Sequence, residues 1–344
     1  MSFIPMTVIE IRQMNRERIL HALRQMPRCT KADIVKETNL SMATCSTMLN
    51  EMLETGEIVK VDQTGYNIGR PAILFSCNAD YFHILTLSTF IREGEDFISY
   101  VTADALGNVI SRNKISVESG GDNMLEALDK IIQETTAQDS LINVVGLSVP
   151  GQVRDGFIEQ CDIIGLAGVD LVKHVCAKSN LRVFVENDLN VITYYLYDKT
   201  LRHKRSFSAL FFSEEIESCV GSGHIINEHL HKGATMLAGE IRYIANAFGL
   251  SPSRQHSLLY NKPKFLDFVS QMIISVACTI NPEHFTLMGN SLNQSDVEPI
   301  RQRVVRIIDE KDIPEIEVVE DFLGNYEESL LRFTLDSVQF PMLM

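Results

Sequence analysis

Residues 30–78 read TKADIVKETNLSMATCSTMLNEMLETGEIVKVDQTGYNIGRPAILFSCN, and the fold of the N-terminal part turns on this stretch. Two short helical patterns flank a tight break at Thr38-Asn39-Leu40-Ser41. Thr30, with Asp33 three residues on, is close to a capping box and starts one helix, whose apolar face is Ala32, Ile34, Val35 and Leu40. Ser41 starts the next, with Cys45, Met48, Leu49, Met52 and Leu53 inward and Gly56 as its stop. Met42, Ala43, Thr44, Ser46 and Thr47 face outward near its start. Upstream, residues 9–26 place Ile11, Asn15, Ile19, Leu23 and Met26 about one helical turn apart, and Pro27 ends that helix.

Helix pairs with this spacing also occur in all-α domains. The hairpin pattern that follows distinguishes the cases. EIVKV and PAILFSC read as strands joined by DQTGYNIGR, whose tip carries Gly65, Gly69, Arg70 and Pro71. Together these predict a winged helix-turn-helix in which Ser41, Met42, Thr44, Ser46 and Thr47 meet DNA and Arg70 enters a narrow minor groove.

The chain has 344 residues, enough for two or three domains, with 45% hydrophobic and 22% charged residues, the balance of an ordinary globular protein. No run of 18 apolar residues points to a membrane span, and no secretory pattern opens the chain. Seven scattered cysteines then read as reduced thiols in a cytoplasmic protein. Net charge is −14, yet residues 1–80 hold 9 basic and 9 acidic side chains. The acidity lies wholly in the rest, so it does not exclude DNA binding by the first 80 residues, although weak non-specific binding is expected.

After residue 80 strands and helices alternate, which predicts an α/β body. HILTLST, FISYVTAD and NVISRNKISV read as strands, the last two joined at Gly107-Asn108. Three stretches have the composition of a site. VGLSVPGQVRDGFI (145–158) is a strand, a Pro-Gly turn and a hairpin. VENDLN (185–190) puts Glu186, Asn187 and Asp188 at a strand's carboxyl end, where an open α/β sheet binds ligands. CVGSGHIINEHLHKGATMLAGEI (219–241) is a glycine-bearing hairpin leading to Gly239 and Glu240.

In this order, with the winged helix, these stretches resemble the ROK family (repressors, open reading frames and sugar kinases), in its transcription-factor branch. The resemblance covers essentially the whole chain: the Asn15–Leu20 pattern, the recognition helix, the Gly-Arg-Pro wing, SVPGQV, VENDLN, AGEI and NPEHFTLMG (281–289). The implied fold is α/β: an N-terminal winged helix-turn-helix (1–80) followed by a two-lobed actin-like, ribonuclease H-like ATPase-type domain (81–344). Lobe one is expected over about 81–190 with a C-terminal helix at 322–344, and lobe two over about 191–321. A homodimer or homotetramer is implied.

The departures carry as much information. The family's kinases hold ATP phosphates with an Asp-x-Gly-x-Thr loop, and here TLSTF (86–90) has neither Asp nor Gly. In SCVGSG only Gly221 and Gly223 remain, with Cys219 where a glycine is usual. No catalytic residue is therefore expected, although Asp188 matches the family's base. The family's zinc site is also expected to be lost: Arg242-Tyr243 replace Gly-His, and SPSRQHSLLY has no cysteine. His224, His229 and His231 alternate along a hairpin without a second ligand cluster, so no metal and no cofactor are predicted. The sugar site is half kept. Asp188 and Glu240 match residues that accept from sugar hydroxyls, with Asn187 beside them and Tyr243 in place of a histidine, while CDIIGLAGVDL (161–171) shows no clear counterpart of the usual Asn. The alternative is that both carboxylates cap neighbouring elements.

These observations predict a repressor of carbohydrate-utilisation genes that binds a palindromic double-stranded operator. It responds to a sugar or sugar derivative held without phosphorylation. Two alternatives stay open: an ATP-dependent sugar kinase with a fused DNA-binding head, or a repressor governed by a protein partner after its sugar site decayed.

Overall fold

The computed structural model describes residues 7–61, 73–201, 204–214, 220–320 and 326–339. The first helix, α1 (Val8–Gln25), opens on a capping box in which Thr7 accepts from the Glu10 amide at 3.2 Å and Glu10 accepts from the Thr7 amide at 2.6 Å. Strand β1 (Cys29–Thr30) leads into α2 (Lys31–Thr38), where Thr30 and Asp33 make the same reciprocal pair. Asn39 ends α2 in the left-handed region at φ 55°, a conformation that asparagine tolerates better than most residues. Ser41 caps α3 (Met42–Glu54), and β2 (Ile58–Val61) pairs antiparallel with β3 (Leu74–Cys77).

Ile19, Leu23, Ile34, Cys45, Leu49, Ile58 and Phe75 form the core of this head. Two expected face residues are displaced from it. Ile11 is 43% exposed, because the inward stripe of α1 runs through Ile19, Leu20, Ala22 and Leu23, and only the second half of the helix lies over the core. Ala32 is exposed because, two residues from Ile34, it lies on the opposite side of α2 from that buried side chain. The two-residue β1, which joins β3 to make a three-stranded sheet, was too short to leave a periodic signal.

The body contains two five-stranded sheets of matching design among the described residues. The first uses β4 (His83–Arg92), β5 (Glu95–Asp104), β6 (Val109–Val117), β7 (Ile142–Val149) and β10 (Arg182–Asn187), in the order β10-β7-β4-β5-β6. β10, β7 and β4 are parallel, and β5 and β6 extend the edge antiparallel. α4 (Asn123–Gln138), the hairpin β8 (Gly151–Arg154)–β9 (Phe157–Cys161) and α5 (Leu171–Cys176) complete that lobe.

The second sheet uses β11 (Ser206–Phe212), β12 (Val220–Ile226), β13 (His229–Leu230), β14 (His284–Met288) and β15 (Glu315–Val319), in the order β13-β12-β11-β14-β15. α7 (Arg242–Ala247), α8 (Pro252–Leu258), α9 (Lys262–Ile280) and α10 (Val297–Val305) pack on it. By length and composition α9 is apolar enough to cross a membrane, but Phe265, Phe268, Val269, Met272 and Ile273 are buried in this lobe's core.

Two helices lie where the lobes meet. α6 (Asp188–Leu196) begins where β10 ends, and a turn of wider helix, Tyr197–Leu201, follows it. α11 (Tyr326–Gln339) returns the chain to the first lobe, where Leu331, Leu335 and Val338 pack on Phe82, Ile84 and Val144. The sides of α6 serve different cores: Ile192 faces the second lobe with Phe207 and Ile225, and Val191 meets Leu330 and Phe333 of α11.

Candidate functional site

The outward face of α3 is only partly the one read from sequence. Ser41, Met42, Ala43 and Thr47 are exposed, and Met42 is 51% open. Thr44 and Ser46 are half-buried and already bonded: Thr44 Oγ1 to Ser41 Oγ at 2.9 Å, and Ser46 Oγ to the Met42 carbonyl at 2.8 Å. Two further residues join this face. Asn50 is exposed on α3 one turn beyond Thr47, a spacing visible in the sequence. Lys31 Nζ, at the start of α2, donates to Ser46 Oγ at 2.9 Å and brings a positive charge to a recognition helix that has none of its own. Only the packing of α2 against α3 places it there. Arg70, with Gly65, Gly69 and Pro71 of the wing tip, lies outside the described residues.

The second site is a cleft of about 620 Å³ between the lobes, within the range of ligand pockets. One end is floored by Pro150, Gly151 and Gln152, and by Asn187 and Asp188 at the β10–α6 junction. The facing wall comes from Gly239, Glu240 and Arg242 of the second lobe. Asp188 and Glu240, 52 positions apart, thus line one cavity.

Neither carboxylate is a helix cap. Asn187 caps α6, accepting from the Asn190 amide at 3.1 Å and donating to the Gly151 carbonyl at 2.9 Å. Ile241 occupies the cap position of α7. Glu186, next in sequence, is buried and tied to Lys232 and to Asn190 Nδ2, so it braces the junction rather than facing a ligand.

Burial pushes the Asp188 carboxyl up to about 7, reinforced by Asp162 and opposed by its bonds to the Leu189 amide and the Tyr326 hydroxyl. Burial also raises Glu240, which Arg242 Nε offsets from 2.9 Å. Asp162, at the rim of the same cleft, is raised by burial and pulled back by Arg242. Asp162, Arg242 and Tyr326 are therefore parts of the site that motif reading passed over. The 161–171 segment gave no motif match, and Tyr326 is remote in sequence from everything it touches. Tyr243 is placed elsewhere: it is 44% exposed, does not line the cleft and lies under the Arg242 guanidinium.

The region matched to a phosphate loop is built differently. Thr86, Ser88 and Thr89 are buried in β4, and the Thr89 hydroxyl is spent on the Ser148 carbonyl at 3.1 Å. Phe90 then lines the cleft, stacked on Phe97 at 5.6 Å and edge-on to Tyr326 at 6.2 Å. Gly221 and Gly223 serve packing. A Cβ on Gly223 would sit 2.0 Å from Thr193 Oγ1, and one on Gly221 2.5 Å from a Leu189 methyl, so both let β12 lie close against α6. Cys219 is outside the described residues.

The residues present do not fit a tetrahedral thiolate site after AGEI. That segment forms α7 and α8, tied by buried Gln255, which donates to Asn246 Oδ1 and the Leu250 carbonyl, both at 2.9 Å. His224 is buried with both ring nitrogens bonded, to Ser208 and Ser222 at 2.9 Å, and burial lowers it to about 4. Among the described residues no group of three or more His, Cys, Asp or Glu side chains is arranged to hold a metal ion.

A ROK family model matches residues 89–249, and a winged helix-turn-helix DNA-binding model matches residues 15–59. The chain carries a ROK-family domain behind a winged helix-turn-helix. The xylose repressor of Bacillus subtilis (strain 168) is 22% identical over 246 residues, 69% of this chain and 62% of that one. The xylose repressor of Caldicellulosiruptor bescii is 23% identical over 239 residues, 67% and 58% respectively. The chain thus spans about three-fifths of the length of these relatives.

A crystal structure described as a ROK family transcriptional regulator, homolog of the E. coli MLC protein, superposes with TM-score 0.71 at 16% identity, over 97% of this chain and 99% of that one. A ROK hexokinase from Thermus thermophilus gives 0.55 at 16% identity, over 74% and 97%. At these identities the likeness speaks for the fold: a winged head on a two-lobed, actin-like kinase fold.

Proposed function

We propose that the protein is a DNA-binding repressor of sugar-utilisation genes whose cleft binds a sugar without phosphorylating it. Residues 1–80 are the reading head and 81–344 the sensor. One observation carries this reading. A helix-turn-helix with an open recognition face is joined to a ROK cleft that is lined by Asp188 and Glu240 but has Thr86 and Ser88 where a kinase needs a carboxylate and a glycine, with Phe90 turned into the cleft.

Ionised or half-ionised carboxylates accept from sugar hydroxyls, and Arg242 and the Tyr326 hydroxyl hold them in place. Two copies present their α3 helices to half-sites spaced by whole helical turns, and Arg70 adds a minor-groove contact. The xylose-repressor names of its relatives make D-xylose the first sugar to try.

Anisotropy of a labelled fragment from upstream of its own coding sequence tests this. Saturable binding that D-xylose or a related sugar changes is expected. Loss of the reading follows if the fragment binds no better than random DNA at moderate salt. A sugar kinase remains the second reading, because an Asp188 carboxyl near 7 suits a general base. Turnover of ATP with a hexose panel, abolished by Asp188→Asn, would establish it in place of the first.

A further inference from the structure

α6 and α11 both begin in the cleft, and α11 reaches the head near its far end. Asp188 opens α6 and Tyr326 opens α11, both side chains line the cleft, and they are close enough to interact. About 15 Å along α11, at the helical rise of roughly 1.5 Å per residue, the same two helices meet again at Asp336. Its carboxylate is 1% exposed and accepts from Tyr194 of α6 at 3.0 Å and from Arg332 at 2.9 Å. Arg332 also pairs with Asp198, beyond the end of α6, at 3.1 Å. The remaining oxygen of Asp336 accepts from Arg24 at 3.0 Å, and Arg24 lies in the last turn of α1, in the head. Tyr194 and Phe333 lock the helices edge-to-face between these ends, at 5.5 Å.

We infer that Arg24 and Asp336 are positioning residues through which the cleft sets the placement of the recognition helix. This rests on the ligand-operated repressor reading and adds its route. A ligand that competes for Asp188 loosens or tightens the bond to Tyr326, so α6 slides relative to α11. Asp336 is bonded to both helices at once and cannot satisfy all its donors after such a slide. A buried carboxylate with a lost donor is costly, so the arrangement favours two discrete settings over a continuum. Arg24 moves with Asp336 because its own charge is mostly buried and needs that partner. α1 packs on α2 and α3 through Ile19 and Leu23, so the head follows as a body.

The test is a double-mutant cycle on the full chain, read as affinity for the upstream DNA fragment. Tyr326→Phe removes the cleft bond and Arg24→Met removes the head's anchor while keeping side-chain length. Tyr326→Phe is expected to change the DNA dissociation constant at least about threefold in the native background and by little in Arg24→Met, with Arg24→Lys recovering part of the response. Equal fold-changes in both backgrounds would overturn the inference. Should Arg24→Met fail to fold, Tyr194→Phe, which removes one donor to Asp336 and keeps the ring packing, takes its place in the cycle.

A parallel titration with D-xylose separates the two levels. A non-additive cycle supports the coupling whether or not D-xylose acts. An additive cycle overturns it even where D-xylose releases the DNA.

Discussion

Asp188 condenses the chemistry of the cleft into one group. Its folded carboxyl titrates near 7 against an ordinary value of 3.8, because burial and Asp162 disfavour the charged form. An acid whose folded value is raised costs stability above that value, and the cost fades as pH falls through 7 toward 4. Asp188→Asn is therefore expected to raise the melting temperature at pH 8, by the equivalent of about 2 kcal/mol, and to have little effect at pH 4. The amide can still accept from Leu189, and the Tyr326 hydroxyl can turn to accept from the amide and donate to Ser148. Thermal melts at the two pH values check this, and equal gains at both would contradict it. His224 acts in the opposite sense. Its lowered value, about 4, makes folding lose stability as pH falls from 6.5 to 4, so the two groups partly cancel in the native chain. Of the four residues expected to hold a ligand, Asn187, Asp188 and Glu240 line the cleft and Tyr243 does not. The residue after a matched motif carries no guarantee of direction: α7 turns Arg242 inward and Tyr243 out.

Among the elements, α6 is held where it is by glycines on the strand beneath it. Gly223→Ala is expected to cost about 2 kcal/mol, since the new methyl meets stiff, β-branched Thr193 and the Leu189 carbonyl at 3.1 Å. Gly221→Ala should cost clearly less, because the methyl end of Leu189 can swing away. Denaturant melts of the two variants give the order, and a reversal would mean that β12 and α6 separate more easily than their packing implies. In the head, Thr30→Ala removes the hydroxyl half of a capping box, leaving the Thr30 amide bonded to Asp33, and should cost about 1 kcal/mol. The helices of the head were legible because caps and stops are local. Thr30 with Asp33, Ser41, Asn39 and Gly56 each act within a few residues of themselves. β1 and the inward stripe of α1 were not, since both depend on which partner arrives from elsewhere in the chain.

For the whole molecule, charge is divided by function: the head is balanced and the body carries the full −14. Binding to random DNA should therefore be weak and the salt dependence of operator binding shallow for a protein of this size. Arg70→Ala should lower the slope of log affinity against log salt by about 0.9 per bound head, together with weaker binding. An unchanged slope and affinity would remove Arg70 from the interface. The sequence by itself determined the two-part plan and the recognition helix, and it marked Asn187, Asp188 and Glu240, because helix caps, turn glycines and strand-end motifs are short-range signals. Only the tertiary structure decided which side chains share the cleft, that Phe90 fills the place matched to a phosphate loop, and that Tyr326 reaches Asp188. It alone joined Arg24 to Asp336 across 312 positions. Such pairings are fixed by how lobes and helices pack, and a chain records packing partners in no local pattern.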